Sequence, residues 1–189
     1  MAFATARQLR ASGGTLTEGH RKLAKSLGRQ DLFLSHTQRD SEYVGPAIGL
    51  LEKHGAHVYV DLLDPAIKTL SGAAVADRVR GAVKQCRRLV ALITHETKNS
   101  KWIPWEMGLA DTLAGAANIA LLPIRTDMKS SGLLKQEYFQ LYPTIEWTLL
   151  QGEERHRWVV RNPSNGRYWR LEKWLERTAP AKPKLVVRR

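Results

Sequence analysis

Arg88-Leu89-Val90-Ala91-Leu92-Ile93-Thr94 is apolar almost without interruption. A run this short and uniform fits a strand inside a parallel sheet, covered by helices on both faces, better than a strand with one wet face. The flanking segments agree. Upstream, Val75, Val79 and Val83 share one helical face, and His57-Val58-Tyr59-Val60-Asp61 reads as a strand. Before that, Val44, Ile48 and Leu51 have helical spacing ahead of a stop at Gly55, and Leu32-Phe33-Leu34 is a first strand. Downstream, a helix is expected over 104–113 and a strand over 118–124. Strands and helices alternate, the pattern of a doubly wound, mostly parallel α/β sheet. Such sheets bind ligands beyond the carboxyl ends of their strands. That rule selects three loops, residues 35–40, 61–71 and 95–105.

The chain has 189 residues, of which 43 % are hydrophobic and 25 % charged, which suits one domain with extensions. Its net charge of +12 invites a nucleic-acid or anionic-membrane reading. The charge is mostly terminal, however. Residues 1–30 hold six Lys and Arg against Glu18 alone, and residues 178–189 hold Lys182, Lys184, Arg188 and Arg189 with no acid. The expected organisation is therefore a loose basic N-terminal arm over 1–30, an α/β domain over 31–177 and a basic tail over 178–189. Within the arm, Thr15-Leu16-Thr17-Glu18 has capping-box spacing for a short helix ending at Gly28. After residue 125, Ile145-Glu146-Trp147-Thr148-Leu149 reads as an edge strand. Two strands around Asn162-Pro163-Ser164-Asn165-Gly166 form an aromatic hairpin, and Leu171, Trp174 and Leu175 suit a last helix. The single Cys86 excludes an internal disulfide framework. With no secretory pattern and no long apolar segment, a cytoplasmic protein off the membrane is expected.

Several chemistries are excluded by the absence of their motifs: no dinucleotide fingerprint, phosphate loop or nucleophile elbow occurs. His54 and His57 straddle Gly55 with no cluster to complete a metal site, so no metal is expected. The informative stretch is Asn99-Ser100-Lys101-Trp102-Ile103-Pro104-Trp105-Glu106-Met107-Gly108-Leu109. Pro104 favours the first helical position, which makes Ile103 the N-cap and puts Glu106 in the first turn, where the helix dipole favours a carboxylate. Trp105, Leu109 and Leu113 form an apolar stripe with Glu106 at its edge. Spacing leaves two readings open. The tryptophans are packing and Glu106 supports the helix start, or Glu106 is a carboxylate in an aromatic cleft that stabilises a developing positive charge.

Asp31-Leu32-Phe33-Leu34-Ser35-His36 with Asp40, the strand ending at Asp61, the loop to Gly72, the strand 89–94 and Ser100-Lys101-Trp102-Ile103-Pro104-Trp105-Glu106 together resemble a Toll/interleukin-1 receptor (TIR) domain. The likeness runs in order from residue 31 to about 125, and its Trp-x-x-Trp-Glu-x-Gly form is more similar to bacterial members, including Thoeris anti-phage proteins. The resemblance implies a flavodoxin-like, three-layer fold and cleavage of the nicotinamide–ribose bond of NAD+, a substrate rather than a cofactor. The product is ADP-ribose or a cyclic ADP-ribose signal for a separate effector. The family's catalytic glutamate falls on Glu106. Nicotinamide leaves as a neutral ring, so one carboxylate facing the ribose suffices and no general acid is needed.

Around it, Trp102 or Trp105 walls the cleft or packs the core. Ser35 and His36 touch phosphate or ribose, or cap the next helix. Asp61 opens the loop that in the family gates the site or bridges protomers, and Lys68 in that loop meets phosphate or is merely solvated. Ser-His in place of the commoner Ser-aromatic pair and the hairpin after residue 138 depart from the family. The alternative function is a non-catalytic TIR scaffold that self-associates through the 61–71 loop. Nucleic-acid binding is disfavoured because the tryptophans sit beside Glu106, Glu146 and Glu172.

Overall fold

In the computed structural model, residues 3–14, 31–61, 67–126, 133 and 136–176 are described. Strands are β1 (Ala4–Thr5), β2 (Leu32–Ser35), β3 (Val58–Tyr59), β4 (Arg88–Ile93), β5 (Ile119–Arg125), β6 (Thr144–Leu149), β7 (His156–Arg161) and β8 (Tyr168–Arg170). Helices are α1 (Ala6–Gly13), α2 (Ser41–Lys53), α3 (Ala73–Gln85), α4 (Trp102–Ala114) and α5 (Leu171–Glu176).

The sheet runs β3-β2-β4-β5-β6-β7-β8, parallel from β3 to β6 and antiparallel beyond. Its parallel part has the doubly wound order in which the chain leaves the first strand to one side and then returns to the other, so the switch point lies between β2 and β4. The expected apolar run is the sheet's centre: all six residues of β4 are buried. Alternation divides its strands between two cores. Leu32, Leu34, Val90, Leu92 and Leu122 face α1, α2 and α5, whereas Phe33, Leu89, Ala91, Ile93 and Leu121 face α3 and α4. Three layers follow from both faces being apolar.

Three expectations need correction. The N-terminal residues are not all a loose arm. Ala4 and Thr5 extend along β5 in register with Ile124 and Arg125, and α1 packs on α2. The start of α1 has its own capping box: Thr5 Oγ1 accepts from the Gln8 backbone N–H at 3.2 Å, and Gln8 Oε1 accepts from the Thr5 N–H at 2.7 Å. Its buried Leu9 joins the first core, while Arg10 pairs with Glu42 and lies 5.4 Å from the Tyr43 ring centroid. The expected helix from Thr15 to Gly28 and the basic tail lie outside the described residues.

Secondly, β6 is not an edge strand, because β5 pairs with one side and the β7–β8 hairpin covers the other. Thirdly, α4 begins at Trp102 with Lys101 as N-cap, so Pro104 is the third helical residue and Glu106 lies beyond the first turn. Proline is tolerated there because the N–H it lacks has no intrahelical acceptor at that position. The Ser100 hydroxyl accepts from the Ile103 N–H at 3.2 Å and completes the start.

Candidate functional site

Odd-numbered residues of β2 face α4, so the side chain following Phe33 on that face is Ser35. On α4 the buried residues are Ile103, Glu106, Met107 and Ala110, spaced as one helical face. Glu106 is therefore in the middle of the buried face, not at the edge of an apolar stripe. Trp105 and Leu109 are half-buried and Leu113 is exposed. The two elements meet through these polar residues: Ser35 Oγ donates to Glu106 Oε2.

Glu106 is 4 % exposed. Burial pushes its carboxyl from the ordinary 4.5 to about 8; the Asp61 carboxylate adds to the rise and the Ser35 hydrogen bond opposes it. The expected dipole-favoured ionisation is thus overturned, because desolvation outweighs it once the residue leaves the first turn. With its pKa raised to about 8, this carboxyl holds its proton at neutral pH.

Glu106 lies against a cleft of about 650 Å³ at the switch point, also lined by His36, Asp61 and Trp102. The His36 ring is nearly buried, with Nδ1 3.4 Å from Asp61 Oδ1. That is ion-pair range, yet Nδ1 makes no hydrogen bond among the described residues. Burial lowers the His36 pKa, with the Asp61 and Asp40 carboxylates pulling the other way. A neutral imidazole results.

The loops are tied together by Asp40. Buried behind the cleft, it accepts from Thr37 Oγ1 at 2.7 Å and from Thr94 Oγ1 at 2.8 Å, joining the ends of β2 and β4. Burial raises its pKa against those two donors. Thr94 also accepts from the Glu96 N–H at 3.1 Å. Thr94→Val keeps the shape and removes both bonds, so it is expected to cost about 1–3 kcal/mol in urea unfolding.

Of the residues singled out from the sequence, the cleft gathers Glu106, His36, Asp61 and Trp102, with Ser35 directly behind Glu106 rather than capping the next helix. Trp102 is 45 % exposed at the mouth. Trp105 does not line the cleft; it meets Trp102 edge-on at 5.5 Å between centroids, and the Arg80 guanidinium lies 5.8 Å from its ring centroid. The backbone of Lys68 is in a short 3-10 turn, Ile67–Thr69. Arg39, Glu96 and Lys101 also line the cleft. None of the three stands out from the sequence, although all lie in loops that the topology selects.

This layout is matched by family comparison: the TIR domain profile covers residues 32–157. The chain belongs to the TIR domain family. This TIR protein is also 28 % identical over 151 residues, 77 % of its length and 75 % of the relative's, to a Bacillus cereus (strain MSX-D12) protein described as a probable 3' cyclic ADP-D-ribose synthase, ThsB'. Both observations fit a bacterial, Thoeris-like TIR. Among the described residues no helix is long and apolar enough to cross a membrane, and no three His, Cys, Asp or Glu are grouped to hold a metal ion.

Proposed function

We propose that this TIR protein cleaves the nicotinamide–ribose bond of NAD+ and passes on ADP-ribose or a cyclic ADP-ribose, a signal for a separate effector in bacterial anti-phage defence. The observation that carries the reading is Glu106. It is a buried carboxyl on the floor of a cleft whose volume, about 650 Å³, is in the range of small-ligand sites. The similarity to the Bacillus cereus synthase supports the same substrate and favours the cyclic product.

The chemistry follows from charge. As the C1′–N1 bond breaks, its electron pair moves to the nicotinamide nitrogen, the ring becomes neutral, and positive charge develops on the ribose. An ionised Glu106 opposite C1′ stabilises that charge in a site of low dielectric. A water, or a hydroxyl of the same nucleotide, then adds to C1′ and releases its proton to solvent. Trp102 at the mouth offers a flat apolar wall for a planar ring.

Ionisation is the step that burial of Glu106 resists. The pyridinium charge of NAD+ offsets the desolvation of the carboxylate, so productive binding expels the Glu106 proton. Accordingly kcat/KM for nicotinamide release is expected to rise roughly tenfold per pH unit below about 8 and then level, since it reports the free enzyme. A profile flat from pH 6 to pH 9 would show that Glu106 is not the titrating group.

The reading itself is tested by incubating the full chain with NAD+ and resolving nicotinamide, ADP-ribose and cyclic products by chromatography and mass spectrometry. Nicotinamide release together with either product supports it. No release at any protein concentration, including assembled protein, overturns it and favours the non-catalytic scaffold.

A further inference from the structure

The cleft's mouth carries an ion pair that the proposed chemistry does not use. Arg39, in the loop after β2, donates from a guanidinium nitrogen to Glu96 Oε2 at 2.9 Å, in the loop after β4. Both side chains line the cleft, so the contact spans the switch point. Their surroundings are unequal. The Arg39 side chain is 75 % exposed, whereas that of Glu96 is 22 % exposed and held on its other oxygen by His95 Nε2 at 2.9 Å. The hydrogen bond from Arg39 is the first cause of a lowered Glu96 pKa, with His95 contributing in the same direction. Glu96 thus keeps a partner if Arg39 leaves. Lys101, a second cation on the cleft wall, stands at the start of α4, where the positive end of the helix dipole also faces the cleft.

Resting on the reading of this cleft as a dinucleotide site, we infer that Arg39 and Lys101 bind the substrate's diphosphate, and that Arg39 reaches it by exchanging Glu96 for phosphate oxygens. Arginine suits the task because its planar fork meets two phosphate oxygens at once. Glu96 then acts as a specificity gate. A ligand without a diphosphate cannot draw Arg39 from its carboxylate partner, so the loops stay latched. A nucleoside diphosphate replaces one charge-assisted contact by stronger ones, while His95 remains on Glu96.

Titration calorimetry of the full chain with ADP and AMP tests this without requiring turnover. The wild-type protein should bind ADP at least tenfold more tightly than AMP. Arg39→Ala and Lys101→Ala should each weaken ADP binding about tenfold, with Arg39→Lys in between and melting temperatures unchanged because these side chains are exposed. Glu96→Gln should move the other way and tighten ADP binding several-fold, which a merely structural Glu96 would not do. With NAD+, Arg39→Ala should raise KM and leave kcat within a few-fold. No ADP binding by the wild-type protein, or equal binding by Arg39→Ala, overturns the inference. ADP binding as expected with no nicotinamide released from NAD+ would leave the diphosphate site standing and remove the catalytic reading.

Discussion

Glu106→Gln is expected to abolish nicotinamide release and, at the same time, to make the protein harder to melt. The catalytic loss should be on the order of 10²–10³ in kcat or more, the usual cost of removing an electrostatic partner of the developing charge. KM should change little, because glutamine keeps the shape and its amide oxygen still accepts the Ser35 hydroxyl.

The stability gain follows from linkage. The carboxyl titrates at 4.5 ordinarily and at about 8 in the fold. Below the first value both states hold the proton, and the group contributes nothing to pH dependence. Between the two, the folded protein holds a proton that the unfolded chain has lost, so stability falls as pH rises, by up to about 1.4 kcal/mol per unit. Above about 8 the penalty is complete and constant. A neutral amide at this position carries no such penalty. The variant should therefore match the wild-type protein near pH 5 and exceed it at pH 8–9 by a few kcal/mol, on the order of 10 °C or more in melting temperature for a chain of this size. Thermal melts at those pH values check it. A variant less stable than wild type at pH 9 would contradict the buried placement of Glu106, and retained turnover would contradict its role.

That expected trade of stability for a poised charge also explains which parts of the molecule are readable in the sequence. The unbroken apolar run of β4 and the valine spacing of α3 reflect burial on both faces of the sheet, a constraint that acts on every residue and leaves a pattern. Glu106 stands out because a carboxylate interrupts an apolar helix beside a proline. Its environment is not legible in the same way, since helix phase depends on where α4 starts and Pro104 sits equally well two residues inside. Trp105 and Trp102 look alike in sequence and are separated only by that phase: one packs beside Arg80, and the other stands at the mouth. The Arg39–Glu96 contact joins residues 57 apart in the chain. Neither carries a local signal, because surface charges are common in loops and only the topology brings these two together. The first thirteen residues are obscured for a different reason. Their basic bias draws attention from the Thr5–Gln8 capping box and from a close approach that helps seat them, between Gly13 and Gly49, two glycines far apart in sequence.

Gly49→Ala is expected to cost about 2–4 kcal/mol, a large effect for one methyl group, because the site is closed by backbone rather than by side chains. A Cβ on Gly49 of α2 would lie 1.9 Å from the Gly13 carbonyl oxygen, and one on Gly13 would lie 1.7 Å from the Pro46 carbonyl oxygen. The two helices cross with their main chains in contact, and no rotamer change relieves such a clash. Instead α1 must move off α2, which threatens the β1–β5 pairing and the 2.9 Å bond from Trp158 Nε1 to Ser12 Oγ. Gly81 supplies the control: it is also inside a helix, but a Cβ there meets nothing within 4 Å. Gly81→Ala should accordingly be neutral or stabilise by about 0.5–1 kcal/mol through helix propensity. Urea unfolding of the two variants separates close approach from a general intolerance of helical glycine substitution. Because α1 and α2 lie on the face of the sheet opposite α4, Gly49→Ala should keep the wild-type pH profile of nicotinamide release at temperatures where it remains folded. Loss of that profile in the folded variant would mean that the N-terminal helix reaches the cleft through the sheet. Equal stability of Gly49→Ala and the wild-type protein would mean that α1 is not seated on α2 at all.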